Sequence, residues 1–277
     1  MATPTLTRHQ LPGALGPIHV DVRASHREAA RPAVVLVHGF KGFKDWGFFP
    51  AAAERLARAG FTAVSFDLSG SGVEHGEFVH TDRFARNTYH AEIDDLVAVL
   101  GALAGGDLGV APASSVGLLA HSRGAASALA NAGSAGIRAL VTWAGIATVL
   151  RWDAATRARW RTEGKLDVVN ARTGQVIPIG LGLLDEIERE HAGALDLERL
   201  AADVTVPWLI VHGTADESVS FLDAELLAEA SGRPTTKFLA IEGAGHTFGV
   251  VHPWQGAPPP FEAVLTGTLA WFAANLS

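Results

Sequence analysis

Gly117-Leu118-Leu119-Ala120-His121-Ser122-Arg123-Gly124 decides how the rest of the chain is read. An apolar run that begins at Val116 breaks at a serine flanked by small residues, and an alanine-rich stretch, 123–132, follows. The pattern predicts a buried strand that turns sharply into a helix, with Ser122 at the turn. Such a turn holds a serine hydroxyl in a strained, exposed position that a base can reach. The usual pattern is G-x-S-x-G. Here Ala120, the smallest side chain able to substitute, stands for the first glycine. One turn motif is a weak signal alone, so its partners must be sought further along the chain.

Upstream, Ala33-Val34-Val35-Leu36-Val37 is a continuous apolar run, as in a strand buried on both faces. Residues 4–9 and 18–24 alternate around Pro12-Gly13 and Gly16-Pro17 and read as an antiparallel hairpin leading into the domain. A helix is expected over 48–59, closed by Gly60, and then a strand Phe61–Phe66. Tyr89 to Leu103 reads as a helix with Ile93, Leu96, Val97 and Leu100 on its buried face. Downstream come a strand Ile137–Trp143, a strand Trp208–Val211, a helix near 219–230, a strand Lys237–Ile241 and a last helix near 261–274. Strands alternating with helices imply an α/β fold with a mostly parallel central sheet flanked by helices.

Residues 146–200 break this rhythm. They hold a Trp- and Arg-rich helix from Trp152 to Trp160 and then Leu166–Asn170, Ala171–Gly174 and Gln175–Ile179, which read as a β-hairpin. A helix near 181–191 follows. The expectation is a single domain, 1–277, whose core is 1–145 plus 201–277 and whose inserted cap is 146–200.

The bulk properties agree with one large globular domain. The 277 residues are 48% hydrophobic and 18% charged, with mean hydropathy +0.20, which leaves ample material for a core. A net charge of −7 and the lack of a basic stripe argue against nucleic-acid binding. No cysteine is present, so disulfides, thiolate catalysis and Cys-ligated zinc are excluded. The N-terminus has no apolar segment after its charge, and no apolar stretch is long enough for a span. The default expectation is a cytoplasmic protein without a membrane span. Nothing in the sequence sets its oligomeric state.

A serine hydroxyl is a weak nucleophile near neutral pH. It needs a neutral imidazole to take its proton and a carboxylate to orient that imidazole. Asp216 is the candidate acid, in His212-Gly213-Thr214-Ala215-Asp216-Glu217-Ser218-Val219, just past a strand end where ligand-facing groups of parallel sheets lie. Its alternative role is to cap the helix near 219, and Glu217 is expected to point away. His246, in Ile241-Glu242-Gly243-Ala244-Gly245-His246, is the candidate base, with His252 as the competitor. Two backbone N–H groups should face the developing oxyanion: that of Arg123 at a helix start, and that of Phe40, with Lys41 second, in His38-Gly39-Phe40-Lys41-Gly42.

Other residues have plainer readings. His38 and His121 are expected to orient the loops around the site. The Arg123 side chain should pair with a framework acid, its alternative being a substrate carboxylate. Asp67 should fix its loop, with a rival catalytic role as the alternative. His80, Asp82, His90 and Glu92 lack metal-site spacing, and Asp67–Gly72 lacks the ending of a phosphate loop. Phe43, Trp46, Trp152 and Trp160 are the candidates to line an apolar substrate pocket, among aromatics that mostly pack the cap on the core.

Together these residues resemble the α/β-hydrolase superfamily: His38-Gly39-Phe40, the turn at 120–124, His212 to Asp216, Gly243 to His246, and a cap between the sixth and seventh core strands. The chain looks most similar to bacterial dienelactone-hydrolase-like, acyl-peptidase-like and cinnamoyl/feruloyl-esterase-like proteins. The resemblance implies a Ser122–Asp216–His246 triad and an oxyanion hole at the amides of Phe40 and Arg123. Ala120 is the departure from the pattern. The serine argues against dehalogenases, which carry aspartate there, and the lack of cysteine excludes the nucleophile of dienelactone hydrolases proper. The expected activity is hydrolysis of small to medium carboxylic esters through an acyl-enzyme, without cofactor or metal. Amide or peptide cleavage on the same residues, or a non-catalytic module binding a small ligand, are the alternatives.

Overall fold

The computed structural model describes residues 3–74, 76–170 and 173–276. The chain begins with β1 (Thr5–Pro12) and β2 (Pro17–Ala24), an antiparallel pair, followed by β3 (Ala33–Val37), α1 (Phe49–Arg58) and β4 (Thr62–Phe66). After two short strands, β5 (Val73–Glu74) and β6 (Glu77–Phe78), come α2 (Thr81–Arg86) and α3 (Tyr89–Gly105). The centre of the chain gives β7 (Val116–His121), α4 (Gly124–Asn131) and β8 (Ile137–Trp143). The segment that follows holds α5 (Ala154–Glu163), β9 (Lys165–Val169), β10 (Val176–Gly180), α6 (Leu181–Glu190) and α7 (Leu197–Asp203). The chain closes with β11 (Trp208–Gly213), α8 (Phe221–Ser231), β12 (Thr236–Ile241) and α9 (Pro259–Asn275).

Eight strands form one sheet in the order β1-β2-β4-β3-β7-β8-β11-β12. Pairings from β4 to β12 are parallel, and β2 joins β4 antiparallel. The central strands are apolar throughout because both of their faces are covered. Val35 and Val37 of β3 belong to one core and Val34 and Leu36 to the other. The second core is closed by α1 and α9, through Leu56, Phe261 and Phe272 among others. The first is closed by α3, α4 and α8. Each fully buried side chain of this size contributes about 1.5–3 kcal/mol. The buried indoles also satisfy their N–H groups: Trp143 Nε1 donates to Thr268 Oγ1 at 2.9 Å and Trp208 Nε1 to Thr142 Oγ1 at 3.0 Å.

α3 departs from its expected face. Leu96 is fully buried, but Val97 is 52% exposed, and the helix instead turns the carboxylates Glu92 and Asp95 inward. Both are held there by distant partners. Asp95 accepts from the amides of Ala14 (2.9 Å) and Ser69 (2.6 Å), and Glu92 pairs with Arg123. Hydrogen bonds to these carboxylates outweigh the apolar period that places Val97 inside.

The segment between β8 and β11 does not join the large sheet. β9 and β10 form an antiparallel hairpin of their own, as expected; Ala171 and Arg172 of its turn lie outside the described residues. Glu186 on α6 fastens the segment to the start of α3. Its carboxylate accepts from the amides of Tyr89 (2.6 Å) and His90 (3.0 Å) and from His90 Nδ1 (2.7 Å). Anionic oxygens are favoured at that end of a helix. Among the described residues no helix is long and apolar enough to cross a membrane, and no cluster of His, Asp and Glu could hold a metal ion.

Candidate active site

β7 ends at His121, and Ser122 takes a left-handed backbone conformation with φ +57° before α4 begins at Gly124. The Ser122 amide donates to the Trp143 carbonyl at 2.9 Å, which pins the turn to the neighbouring strand end. Two glycines let the backbones crowd here. A Cβ on Gly124 would lie 2.6 Å from the His38 carbonyl oxygen, and one on Gly39 would lie 2.9 Å from Ser122 Cβ. Ala120 sits within β7, fully buried, opposite Val37 and Thr142, so a methyl group is accommodated where the pattern usually has glycine.

The three residues that stand 124 and 30 positions apart in sequence come together in one hydrogen-bonded chain. Ser122 Oγ lies 3.0 Å from His246 Nε2, and His246 Nδ1 lies 2.8 Å from Asp216 Oδ2. A carboxylate can only accept, so Nδ1 carries the imidazole proton and Nε2 is free to accept from the serine hydroxyl. Asp216 Oδ1 accepts from the amides of Ser218 (2.8 Å) and Val219 (2.9 Å), closing its loop upon itself. The helix that follows is capped by Ser220, not by Asp216. Burial pushes the Asp216 carboxyl up, but hydrogen bonds from His212 and His246 overcome this and hold it well below the usual carboxylate range. Glu217 is exposed. His252 accepts from the Gly47 amide at 3.1 Å and packs beside Phe43 and Trp46, away from this chain.

The flanking histidines are fixed and neutral. His38 Nδ1 donates to the Gly39 carbonyl (2.9 Å), while Nε2 accepts from the Leu68 amide (3.1 Å). Burial pushes its pKa down to about 4. His121 Nε2 donates to the His246 carbonyl (3.1 Å), and burial followed by repulsion from His246 lowers its pKa to about 3. Asp67 fixes a loop, with Oδ1 accepting from the Lys44 amide at 2.7 Å; burial raises its pKa to about 7.

Arg123 pairs with Glu92 in a buried contact, Nε lying 3.0 Å from Oε1, and its guanidinium lies 4.0 Å above the Tyr89 ring. Sequence reasoning missed His212, which lies 3.3 Å from Asp216 Oδ2. The signal was its position in the same strand-to-acid stretch, four residues before Asp216.

Two cavities meet at Ser122 and His246. One, of about 370 Å³, is lined by Phe40, Lys41, Tyr89, Arg123, Arg151 and Trp152 among others. The second, of about 290 Å³, is lined by Gly39, Trp46, Phe49, His121, Asn170 and Thr247 among others. Trp46 and Trp152 thus each line one of these cavities. Phe43 and Trp160 do not, which corrects the expectation for both. Phe43 faces a separate cavity beside His19, Lys44 and Asp67. Trp160 is fully buried, its Nε1 donates to the Ile179 carbonyl at 3.1 Å, and it packs edge-on against Trp152. It supports the pocket wall from behind.

A doubly covered parallel sheet with a serine, a histidine and an aspartate in contact beyond its carboxyl edge defines an α/β hydrolase. Over residues 28–170 the chain matches the serine aminopeptidase S33 family, and it belongs to that family. Its fold is that of the α/β-hydrolase superfamily. Solved structures with the same fold include the esterase domain of a Rhodothermus marinus protein (TM-score 0.64, 18% identity, 99% of this chain and 100% of that one). Est1E from Butyrivibrio proteoclasticus superposes with a TM-score of 0.66 at 16% identity over 97% and 98% of the two chains. A dienelactone hydrolase from Anabaena variabilis gives 0.63 at 17% identity over 99% and 100%. A curated relative, 2,6-dihydropseudooxynicotine hydrolase of Paenarthrobacter nicotinovorans, is 24% identical over 233 residues, 82% of this chain. The chain spans 56% of the length of that relative.

Proposed function

We propose that the protein is a serine esterase that hydrolyses small to medium carboxylic esters through an acyl-enzyme. The observation that carries this reading is the unbroken Ser122–His246–Asp216 hydrogen-bond chain opening on two cavities. Ser122 Oγ attacks the ester carbonyl as His246 Nε2 takes its proton. The tetrahedral oxyanion is received by the amides of Phe40 and Arg123, two residues that line the larger cavity together with Ser122. His246 then protonates the leaving alcohol. A water, deprotonated by the same imidazole, releases the acyl group. Asp216, kept ionised, holds the imidazole in the tautomer this sequence requires. Residues 146–200 act as a cap, contributing Arg151, Trp152 and Asn170 to the cavity walls.

Peptide cleavage is the second reading, because the family matched is that of a serine aminopeptidase. An aminopeptidase must neutralise a substrate ammonium group, for which a carboxylate is the natural partner. The charged side chains lining the two cavities, among the described residues, include Lys41, Arg123 and Arg151 but no aspartate or glutamate. This favours esters over free peptide N-termini.

The test combines a fluorophosphonate probe with a panel of aryl esters and aminoacyl anilides. Labelling should occur and depend on Ser122. Ser122→Ala and His246→Ala should each lower ester turnover by about 10⁴-fold or more. An unlabelled enzyme, or unchanged turnover in either variant, overturns the reading. Turnover of anilides well above that of esters favours the peptidase.

A further inference from the structure

The two cavities beside Ser122 differ in chemistry. The smaller is walled by Trp46 and Phe49, by the backbone of Gly39 and Gly42 and by His121, Asn170 and Thr247, and it shares Lys41 with the larger. The larger has Lys41, Arg123 and Arg151 in its lining, and no acidic side chain among the described residues. Arg123 and Arg151 each have a carboxylate, but these counter-ions are absent from the lining. Glu92 lies 3.0 Å from Arg123 Nε, and Asp223 lies 2.9 Å from an Nη of Arg151. Lys41 forms no ion pair among the described residues; its ammonium donates to the Val169 carbonyl of the hairpin at 3.1 Å. The charged groups of the lining itself are thus all cationic, and Lys41 is the one without a carboxylate partner among the described residues.

Arg123 adds a second observation. Its side chain is 5% exposed, it reaches Glu92 through Nε alone, and its Nη2 is buried without a hydrogen-bond partner. An unmet guanidinium donor in a dry site is costly unless an acceptor arrives. A planar carboxylate suits a guanidinium that is already held in place, here by the Tyr89 ring and Glu92.

We propose that the larger cavity is an anion subsite and that the preferred substrates are esters bearing a carboxylate, bound by Lys41, Arg123 and Arg151, with an apolar or aryl portion against Trp46 and Phe49. This rests on the esterase reading and specifies its substrate class. The subsite makes no covalent step of its own. It positions the ester so that the carbonyl lies over Ser122 between the two cavities.

Two matched pairs of esters test it. The para-nitrophenyl monoester of glutaric acid is compared with para-nitrophenyl hexanoate, and meta-carboxyphenyl acetate with meta-isopropylphenyl acetate. The first pair places the charge on the acyl side and the second on the leaving side. In one pair, kcat/KM should favour the charged ester, after subtraction of spontaneous hydrolysis. That preference should fall about tenfold in Lys41→Gln and in Arg151→Gln, as expected for loss of a charged hydrogen-bond partner. Because each variant is read as a ratio between two esters, a general loss of activity does not imitate the effect. The Lys41 substitution carries the test if removal of Arg151 from Asp223 unfolds the chain. Ratios that stay the same in wild type and both variants, for both pairs, overturn the anion subsite while neutral-ester turnover and Ser122 labelling leave the esterase reading standing. Absence of both labelling and turnover overturns both.

Discussion

His212 Nε2 lies 3.3 Å from Asp216 Oδ2, the oxygen that also receives Nδ1–H of His246, and 3.0 Å from the Val219 carbonyl. One imidazole proton thus bridges the acid and the loop that the acid itself closes. His212 is fully buried, so this contact is a fixed part of the site. Replacing it by asparagine should leave the Asp216 loop less constrained and lower kcat about tenfold with little change in KM, the size expected for one hydrogen bond to a charged group. Steady-state kinetics on an aryl ester, with probe labelling of Ser122 as a fold control, measure this. An unchanged kcat would leave His212 with a packing role only.

Gly39 is the second position where a small change should have a large effect. A methyl group there would lie 2.8 Å from the His121 carbonyl oxygen and 3.1 Å from the Arg123 nitrogen. Both atoms are backbone, so the loop carrying Phe40 has to move. Gly39→Ala should lower kcat about 10²-fold, the scale of losing an oxyanion donor. Ester kinetics and a thermal melt, run side by side, separate this from unfolding.

Glu92 and Arg123 form a buried pair in which each neutralises the other. Glu92→Gln removes one charge and leaves the other uncompensated. The expected loss of stability is about 3–5 kcal/mol, read from urea unfolding. The double variant Glu92→Leu/Arg123→Met should recover much of that loss, because no isolated charge remains inside.

The pH dependence of stability should carry opposing contributions. His38 and His121 have native pKa values near 4 and 3, below the ordinary 6.5. Their unfolded forms therefore bind protons that the native forms refuse, and stability is lost as pH falls from about 6.5 towards these values. Asp67 behaves in the other direction. Its native pKa near 7 lies above the ordinary 3.8, so the native state holds the extra proton and stability falls as pH rises from about 4 to 7. Asp67→Asn should raise the melting temperature more at pH 8 than at pH 5. His121→Gln should flatten the acid loss between pH 7 and pH 5. Melting curves at these pH values check both signs.

The sheet and the placement of Ser122, Asp216 and His246 were legible because each depends on a local pattern: an apolar strand, then small residues, then a polar group. The hairpin of 165–180 was legible for the same reason. What escaped depends on distant partners. The inward turn of Glu92 and Asp95 follows from Arg123, Ala14 and Ser69, which no period within α3 reveals. Phe43 and Trp160 are aromatic and near the right strands or segment, yet periodicity does not say which side of a wall a ring occupies. α2 and α7 have only six and seven residues, too few for a helical repeat to stand out.

Four non-glycine residues hold positive φ angles among the described residues: Lys41, Ser122, Ala144 and Phe248. They follow β3, β7, β8 and β12, all at the carboxyl edge. A left-handed backbone costs about 1–2 kcal/mol at each such residue. The rim that carries the proposed chemistry thus holds this backbone strain, while the strands beneath are apolar and doubly covered. On gradual heating, turnover should vanish before the sheet melts, and the amides of these four loops should exchange with solvent well ahead of those in β3 and β7. Engineering that relaxes the rim will extend the lifetime of the fold at the expense of its rate.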